Sequence, residues 1–511
     1  MTQTGAVMTS RDRLLLASAT MLATMLYTID STIVNVALPH IQGSLQATQE
    51  QVAWVVTSYI VIGAIGTPLA GWLGVRFGLR RILAISIAGF TLSSALCGVA
   101  TDIPTMVAFR AIQGAFGASL VPLSQIVLLE QFPRTQHGRV MAVWGMGVMV
   151  GPVLGPTLGG WLTDTLSWRW AFFINVPVGI VAWLGLLATM PKSQVDTRRP
   201  FDVTGFALLS LALGLFQLML DRGESQGWFE STEIVAEAFF AALGFYMFIV
   251  HSLTARQPFV DVSLFRDRNF TVSLIVMFAI GIAVISPSVL LPSFLQQLKG
   301  YTPLQAGVLM AWRGITSIFA MLVGARLSIL FGPRVTMAVG ILATTASLSI
   351  MSTFSVDTTP RAVVIAGIML GLGSPLTFIP LTLIGYSTLR DSARTEAGVL
   401  LTLLRNVGAS VGVSITIALL ARSTQVNQSY LAEHFTAYSR DRWLAVGAEP
   451  GANAQTGALV GEIARQAASI SYANDFALLA ACTLVTLPLV LLLRGRAPDP
   501  APGMAAADGG H

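Results

Sequence analysis

Leu73-Gly74-Val75-Arg76-Phe77-Gly78-Leu79-Arg80 returns 254 residues later as Leu327-Ser328-Ile329-Leu330-Phe331-Gly332-Pro333-Arg334, with Leu, Phe, Gly and Arg kept at the same offsets. The same shift aligns Thr48 with Thr302 and Gln51 with Gln305, so the matches fall at equivalent places in two apolar segments of equal length. Duplication of one unit is the favoured reading. The two segments belong to a larger set. A hydrocarbon core about 30 Å thick takes roughly 20 apolar residues per helix, and stretches of that kind lie at 14–37, 51–72, 82–101, 105–129, 140–162, 170–190 and 203–220, then at 234–254, 270–292, 303–325, 335–354, 361–384, 400–421 and 475–493. The expected fold is an all-α polytopic membrane protein of 14 transmembrane helices. Spans one to six (14–190) form one half and spans nine to fourteen (270–493) the other, with a two-helix insert at 203–254.

Composition agrees. Of 511 residues 54% are hydrophobic and 11% charged, where a soluble domain carries about 25% charged residues, and mean hydropathy is +0.71. An even number of spans puts both termini on one side, and basic residues choose the side, because short cytoplasmic loops hold the excess of Lys and Arg. Nineteen basic residues fall in the tails and even-numbered loops against eight on the opposite face, with Arg110, Arg313 and Arg405 inside spans. The tails 1–13 and 494–511 are therefore expected to be cytoplasmic. The net charge of +5 follows from this bias and calls for no nucleic-acid partner. The first apolar run is long and lacks a small-residue cleavage site after it, so no cleavable signal peptide is expected. Cys97 and Cys482 both fall in spans and read as small core residues.

Asp30 lies two-thirds of the way along the first span and is the carboxylate expected deep in the bilayer. A charge at the bilayer centre costs roughly 2.5–3.5 kcal/mol even on a lenient scale, so it is kept where ions or substrates need it. The competing reading, a packing residue, is weaker, because Asn or Ser would pack without a titratable proton. Span four contributes Phe109-Arg110-Ala111-Ile112-Gln113-Gly114, a guanidinium that stays charged. Its expected task is to tune the proton affinity of a nearby carboxylate, with Asp30 the obvious partner, or to hold an anionic group. A structural buried ion pair is the bland alternative.

Two glycine-containing stretches complete the pattern. Gly71-Trp72-Leu73-Gly74-Val75-Arg76-Phe77-Gly78-Leu79-Arg80-Arg81 closes span two with basic residues. Span five contains Gly151-Pro152-Val153-Leu154-Gly155-Pro156-Thr157-Leu158-Gly159-Gly160, where glycines let backbones approach and each proline removes a helical hydrogen bond. Small-residue packing alone accounts for the glycines, although the full arrangement is more particular.

Two six-span halves are the architecture of the major facilitator superfamily, with a substrate site between them near the midplane. The loop after span two resembles that family's signature, departing from it at Val75, where the family has Asp. Arg110-x-x-Gln113-Gly114 and the span-five pattern resemble its other motifs, the latter being typical of proton-driven exporters. Asp30–Pro39, Trp168–Gly179, Leu220–Gly223, Val260–Arg266 and Arg268–Thr271 are similar to the EmrB/QacA group of fourteen-span drug/proton antiporters, and most to its EmrB branch. The resemblance implies multidrug efflux from the bacterial inner membrane, with the proton gradient as energy source and no cofactor or metal. It implies proton coupling at Asp30 and Arg110, and a cavity or gate at Asn35, Gln113, Gly114, Gly151, Pro152, Gly155, Pro156, Arg313 and Arg405. A cytoplasmic gate loop follows at Gly71, Arg76, Gly78, Arg80 and Arg81. Small hydrophobic substrates and membrane lipids are the expected partners. Arg313 and Arg405 stand in spans ten and thirteen where dication exporters carry acids, which points to neutral, zwitterionic or weakly acidic substrates.

A polar segment, 422–474, separates the last two spans as an expected periplasmic loop, with amphipathic stretches at 426–438 and 457–472. It reads equally as a docking site for a periplasmic adaptor protein serving an outer-membrane channel or as a solvated spacer. A dedicated exporter of one natural product, peptide or fatty acid fits the sequence too. An integral-membrane enzyme fits poorly, because the five histidines are scattered, and no P-loop occurs, so no ATP machinery is expected.

Overall fold

The computed structural model describes residues 10–133, 136–191, 201–390, 393–433 and 453–493, and among them every regular element is a helix. The expected tail 494–511 lies outside the described residues. The first half comprises α1 (Ser10–Ser44), α2 (Gln49–Phe77), α3 (Leu79–Gly98), α4 (Ile103–Gly117), α5 (Leu120–Gln131), α6 (His137–Thr165), α7 (Trp170–Phe173) and α8 (Asn175–Thr189). The insert is α9 (Val203–Arg222) and α10 (Thr232–Thr254). The second half comprises α11 (Arg268–Ser293), α12 (Pro303–Leu330), α13 (Pro333–Met351), α14 (Pro360–Ser387), α15 (Arg394–Ala432), α16 (Asn453–Val485) and α17 (Leu487–Leu492). By length and composition 13 helical stretches among the described residues can cross a membrane. The 29-residue α6 stands where the fifth span was expected, so a count of fourteen rests on including it.

The repeated residues do the same work in both halves. Thr48 caps α2 by accepting from the Gln51 amide while Gln51 accepts from the Thr48 amide, and Thr302 and Gln305 form the same reciprocal box on α12. Gly78, at φ +89°, turns the chain from α2 into α3, and Gly332, at φ +83°, turns it from α12 into α13. A side chain at either place would be strained in that left-handed region.

Prolines explain where spans depart from a single straight helix. The fourth span breaks at Ala118 and Ser119 because Pro122 has no N–H for the Ala118 carbonyl, and the sixth breaks at Ile174 because Pro177 has none for Phe173. Pro287 and Pro292 bend α11 before it ends in a π-turn over Phe294–Leu298.

Within the segment 422–474, the described residues 422–433 and 453–474 are helical over both stretches read as amphipathic, while 434–452 lie outside the described residues. α15 runs on to Ala432 and α16 begins at Asn453, joined by Asn427 Nδ2 donating to Ser471 Oγ at 3.0 Å. The amphipathic stretches extend the span helices, because one apolar face is enough to bury them side by side. Cys97 is buried as expected, whereas Cys482 is exposed on the outer surface of α16.

The first and fifth helices of each half pack closely. Gly147, Gly151, Gly155 and Gly159 recur every four residues on one face of α6 and meet Met21, Thr28, Thr32 and Ile33 of α1. A Cβ on Gly151 would overlap Thr28 and one on Gly155 would overlap Thr32. Thr32 Oγ1 donates to the Gly151 carbonyl at 3.0 Å across this seam. In the second half, Gly408 and Gly412 of α15 seat on Phe278, Ile282 and Ser286 of α11 in the same manner.

Side-chain contacts between the halves gather at the end of the bundle where α1 begins. Gly71 of α2 rests on Val399 of α15, Ile126 of α5 on Gly398, Gly145 of α6 on Met321 of α12, and Trp144 stacks on Phe378 of α14 with centroids 6.1 Å apart. At the opposite end the insert spans the seam. Thr57 of α2 donates to Asp221 at the end of α9, and Ser414 of α15 donates to the Leu220 carbonyl at 2.6 Å.

Two stability tests follow from this packing. Gly155→Ala should lower the melting temperature in detergent, by an overpacking cost of about 1–3 kcal/mol, whereas Gly160→Ala, with open space around it, should leave it unchanged; scanning fluorimetry reads both. The second concerns Asp202, which caps α9. Burial pushes its carboxyl up, but the Gly205 and Phe259 amides and His251 outweigh that and hold it below the usual carboxylate range. A depressed carboxyl stabilises the fold above its unfolded pKa, and the contribution is lost as pH falls through its folded one. The acid-side decline in melting temperature should therefore be shallower in Asp202→Asn than in the native protein.

Candidate functional site

The aspartate on α1 is wholly enclosed. Asp30 is 0% exposed and Arg110 1%, and Arg110 Nη1 donates to Asp30 Oδ2 at 2.6 Å. Oδ1 accepts from Gln113 Nε2 at 2.9 Å and from Asn175 Nδ2 at 3.1 Å. Three N–H donors from α4 and α8 thus converge on one carboxylate. At an effective dielectric of about 20, opposite charges 4 Å apart attract by about 4 kcal/mol, and closer contact strengthens this against the desolvation of both ions.

The guanidinium is held as tightly. Arg110 Nε donates to the Val55 carbonyl at 3.0 Å, Nη1 also donates to Gln113 Oε1 at 2.7 Å, and Cζ lies 4.1 Å from the centroid of the Tyr59 ring. A cation desolvated over an aromatic face gains about 2 kcal/mol. Gln113 sits one helical turn from Arg110 and uses its two amide ends in opposite senses, donating to the carboxylate and accepting from the guanidinium. The cluster is thus a charge pair braced from both sides by one amide.

Local sequence explains the convergence. Gly114 lets α4 lie against the Tyr59 carbonyl of α2, where a Cβ would come within 2.5 Å of that oxygen. The break before Pro177 starts α8 at Asn175, whose side chain bridges Ser94 Oγ of α3 at 3.0 Å and Asp30. Ser94 in turn donates to the Phe172 carbonyl at 2.9 Å. Asn175, Tyr59 and Ser94 were not among the expected site residues. For Asn175 the signal was present, an amide two residues ahead of a proline in an apolar run.

The other expected residues are distributed as follows. Asn35 is exposed, slightly over one turn from Asp30, and donates to the Ser31 carbonyl at 3.2 Å. Gly151 and Gly155 form the α1 seat, while the side chains of Pro152 and Pro156 lie outside the described residues. Arg313 is buried and donates to Ser288 Oγ at 2.7 Å and to the Val284 carbonyl at 3.1 Å, beside the Pro287 bend of α11. Arg405 stands over the Phe378 ring at 5.8 Å, next to the Trp144 stack that joins the halves. Neither forms an ion pair among the described residues.

In the loop after α2, Gly71 touches the other half, Gly78 makes the turn, Arg76 is half-buried and Arg81 exposed. Arg80 donates to the Leu187 carbonyl at 2.7 Å, tying α3 to α8 within its own half. Among the described residues, two carboxylates besides Asp30 are buried, Glu237 on α10 and Asp475 on α16, against the expectation of one. Asp475 escaped notice because its span was taken to begin there, whereas α16 starts 22 residues earlier.

Removing one partner of a buried pair strands the other charge at about 3–5 kcal/mol. Arg110→Ala should therefore unfold at markedly lower temperature than native protein, and the double variant Arg110→Ala/Asp30→Asn should recover much of the loss.

The family model for the major facilitator superfamily matches residues 20–413. The chain is 37% identical to the fatty acid resistance protein FarB of Neisseria gonorrhoeae, over 82% of this chain and 83% of that one. It is 36% identical to the multidrug export protein EmrB of Haemophilus influenzae, over 83% and 84%, and 36% identical to EmrB of Escherichia coli K12, over 81% and 81%. Among solved structures, the human organic anion transporter MFSD10 (TETRAN) superposes with a TM-score of 0.59, covering 94% of this chain and 99% of its own at 14% identity, which shows a shared fold. With relatives alike over four-fifths of their length, a matching family model and a two-half helical bundle, the chain belongs to the major facilitator superfamily as an EmrB-type member.

Proposed function

We propose that this chain exports hydrophobic drugs and other toxic compounds across the bacterial inner membrane in exchange for protons, by alternating access of its two halves. The observation that carries the reading is the enclosed Asp30–Arg110 pair, a titratable group at the centre of one half whose protonation must release a cation. The multidrug substrate class is supported by the EmrB relatives, which are named multidrug export proteins.

With the end at which α1 begins facing the cytoplasm, as the bias of basic residues requires, the halves touch at their cytoplasmic end. That is the arrangement of an outward-facing transporter. A proton taken up by Asp30 from outside loosens Arg110, and the halves rock to expose the site inward, where the proton leaves and substrate enters. Each proton crossing a potential of 100 mV supplies about 2.3 kcal/mol, roughly 1.6 decades of substrate gradient at 1.4 kcal/mol per tenfold. The proton gradient suffices, with no cofactor or metal.

α15, at 39 residues, is about 58 Å long at 1.5 Å per residue, and exceeds a hydrocarbon core of about 30 Å. Its outer part pairs with α16, which supports docking of a periplasmic adaptor protein and, through it, an outer-membrane channel. A second reading, a dedicated exporter of one acidic amphiphile, draws on Arg313 and Arg405, cations in the second half without an ion-pair partner among the described residues. The fatty acid resistance relative fits it.

Proteoliposomes carrying an internal pH dye decide between these readings. Multidrug antiport predicts proton flux triggered by both ethidium and oleate, abolished in Asp30→Asn while substrate binding persists. Flux triggered by oleate alone supports the dedicated exporter, and unaltered flux in Asp30→Asn removes Asp30 from the proton path.

A further inference from the structure

The second half contains a buried carboxyl that the mechanism above leaves idle. Asp475 is 3% exposed on α16, and its Oδ2 finds no hydrogen-bond partner among the described residues. Asp30, equally enclosed, has three donors, one of them a guanidinium. An isolated carboxylate away from water costs far more than a neutral carboxyl, so a group in such a place keeps its proton.

Among the described residues, none around Asp475 offers a compensating charge. α11 and α13 carry their charged residues, Arg268 and Arg334, at the far end of the bundle. Arg422 of α15 is exposed, and Lys299, beyond the π-turn, donates to the Val356 carbonyl. Glu462 and Arg465 on its own helix pair with each other on the exposed side. The titratable group that feels Asp475 is Tyr472, one turn away, which meets Phe294 at the end of α11 with centroids 5.6 Å apart.

Further along the same helix, past the buried apolar side chains of Phe476, Leu479 and Ala480, lies a small polar cavity. Thr483 and Thr486, two and three turns beyond Asp475 toward the end of the bundle where the halves meet, line a cavity of about 20 Å³ together with Thr344, Ser374 and Thr377. That room exceeds the roughly 10–15 Å³ a water needs, and the hydroxyls supply its partners. Thr483 lies about 12 Å from Asp475 along the axis at 1.5 Å per residue. Val284 also lines the cavity, and its carbonyl holds Arg313.

We propose that Asp475 is a second proton-binding site, serving the C-terminal half, which exchanges its proton when water enters beside the bent end of α11. The step is a simple ionisation: the O–H bond of the carboxyl breaks, the proton passes to that water, and the carboxylate remains until a proton returns. The Asp475 carboxylate is tolerable only when α16 and the bent end of α11 separate enough to admit water, so its ionisation is tied to movement of this half.

Infrared difference spectroscopy of the full-length protein in lipid nanodiscs tests this without any substrate, so it stands or falls apart from the export reading. At neutral pH the native protein should show a protonated-carboxyl C=O band that shifts in D2O and disappears as pH is raised. Asp30→Asn should retain the band, Asp475→Asn should lose it, and Asp475→Glu should restore it at a shifted frequency. Persistence of the band in Asp475→Asn, or its absence from native protein, overturns the proposal. A band that belongs to Asp475 but ignores pH also overturns it, since that describes a structural acid. In the ethidium-triggered release experiment, protons released per substrate should fall about twofold in Asp475→Asn, as one of two linked proton sites is removed.

Discussion

The enclosure of one carboxylate with one guanidinium constrains everything around it. A bilayer offers neither ion any solvation, so each of the donors and acceptors they need must come from the protein. Asp30 and Arg110 obtain theirs from three segments: Val55 and Tyr59 on α2, Gln113 on the same helix as Arg110, and Asn175 at the start of α8, itself anchored to Ser94 on α3. Those partners have to be brought within about 3 Å of one point, and the helix breaks and glycine contacts of the first half serve that demand. Pro177 starts α8 at Asn175, Gly114 lets α4 lie on α2, and the α6 glycines hold α1 in place.

The second half shares the scaffold and not the chemistry. Its caps at Thr302 and turn at Gly332 copy those of Thr48 and Gly78, and α11 packs on α15 as α1 packs on α6. Yet the buried charges differ. Arg313 satisfies backbone and hydroxyl oxygens near a proline bend, Arg405 lies over an aromatic ring at the seam, and the buried acid Asp475 sits on the sixth helix of its half. Duplication fixed the helical frame because caps and turns are local, while the interior polar groups diverged to suit different tasks.

The insert has a place in this arrangement that composition does not reveal. α9 ends on the seam between α2 and α15, bonded to both through Asp221 and the Leu220 carbonyl. Movement of the halves must alter those contacts, so the two extra helices are bound up with the rocking they flank.

The sequence by itself determined the features that depend on local chemistry. Apolar runs separated by turns set the spans, the Thr48 and Thr302 repeat set the two halves, and Asp30 in the first span with Arg110 in the fourth pointed to the pair that the structure encloses. Tertiary structure alone decided which side chains complete it. Asn175 lies 145 residues from Asp30, and periodicity carries no information about a contact at that range. Amphipathic patterning marked the helical stretches within 422–474, but polarity hid Asp475, whose burial depends on the helices packed around α16. The bond from Arg80 to the Leu187 carbonyl was equally out of reach of sequence, since that carbonyl is supplied by a helix a hundred residues away.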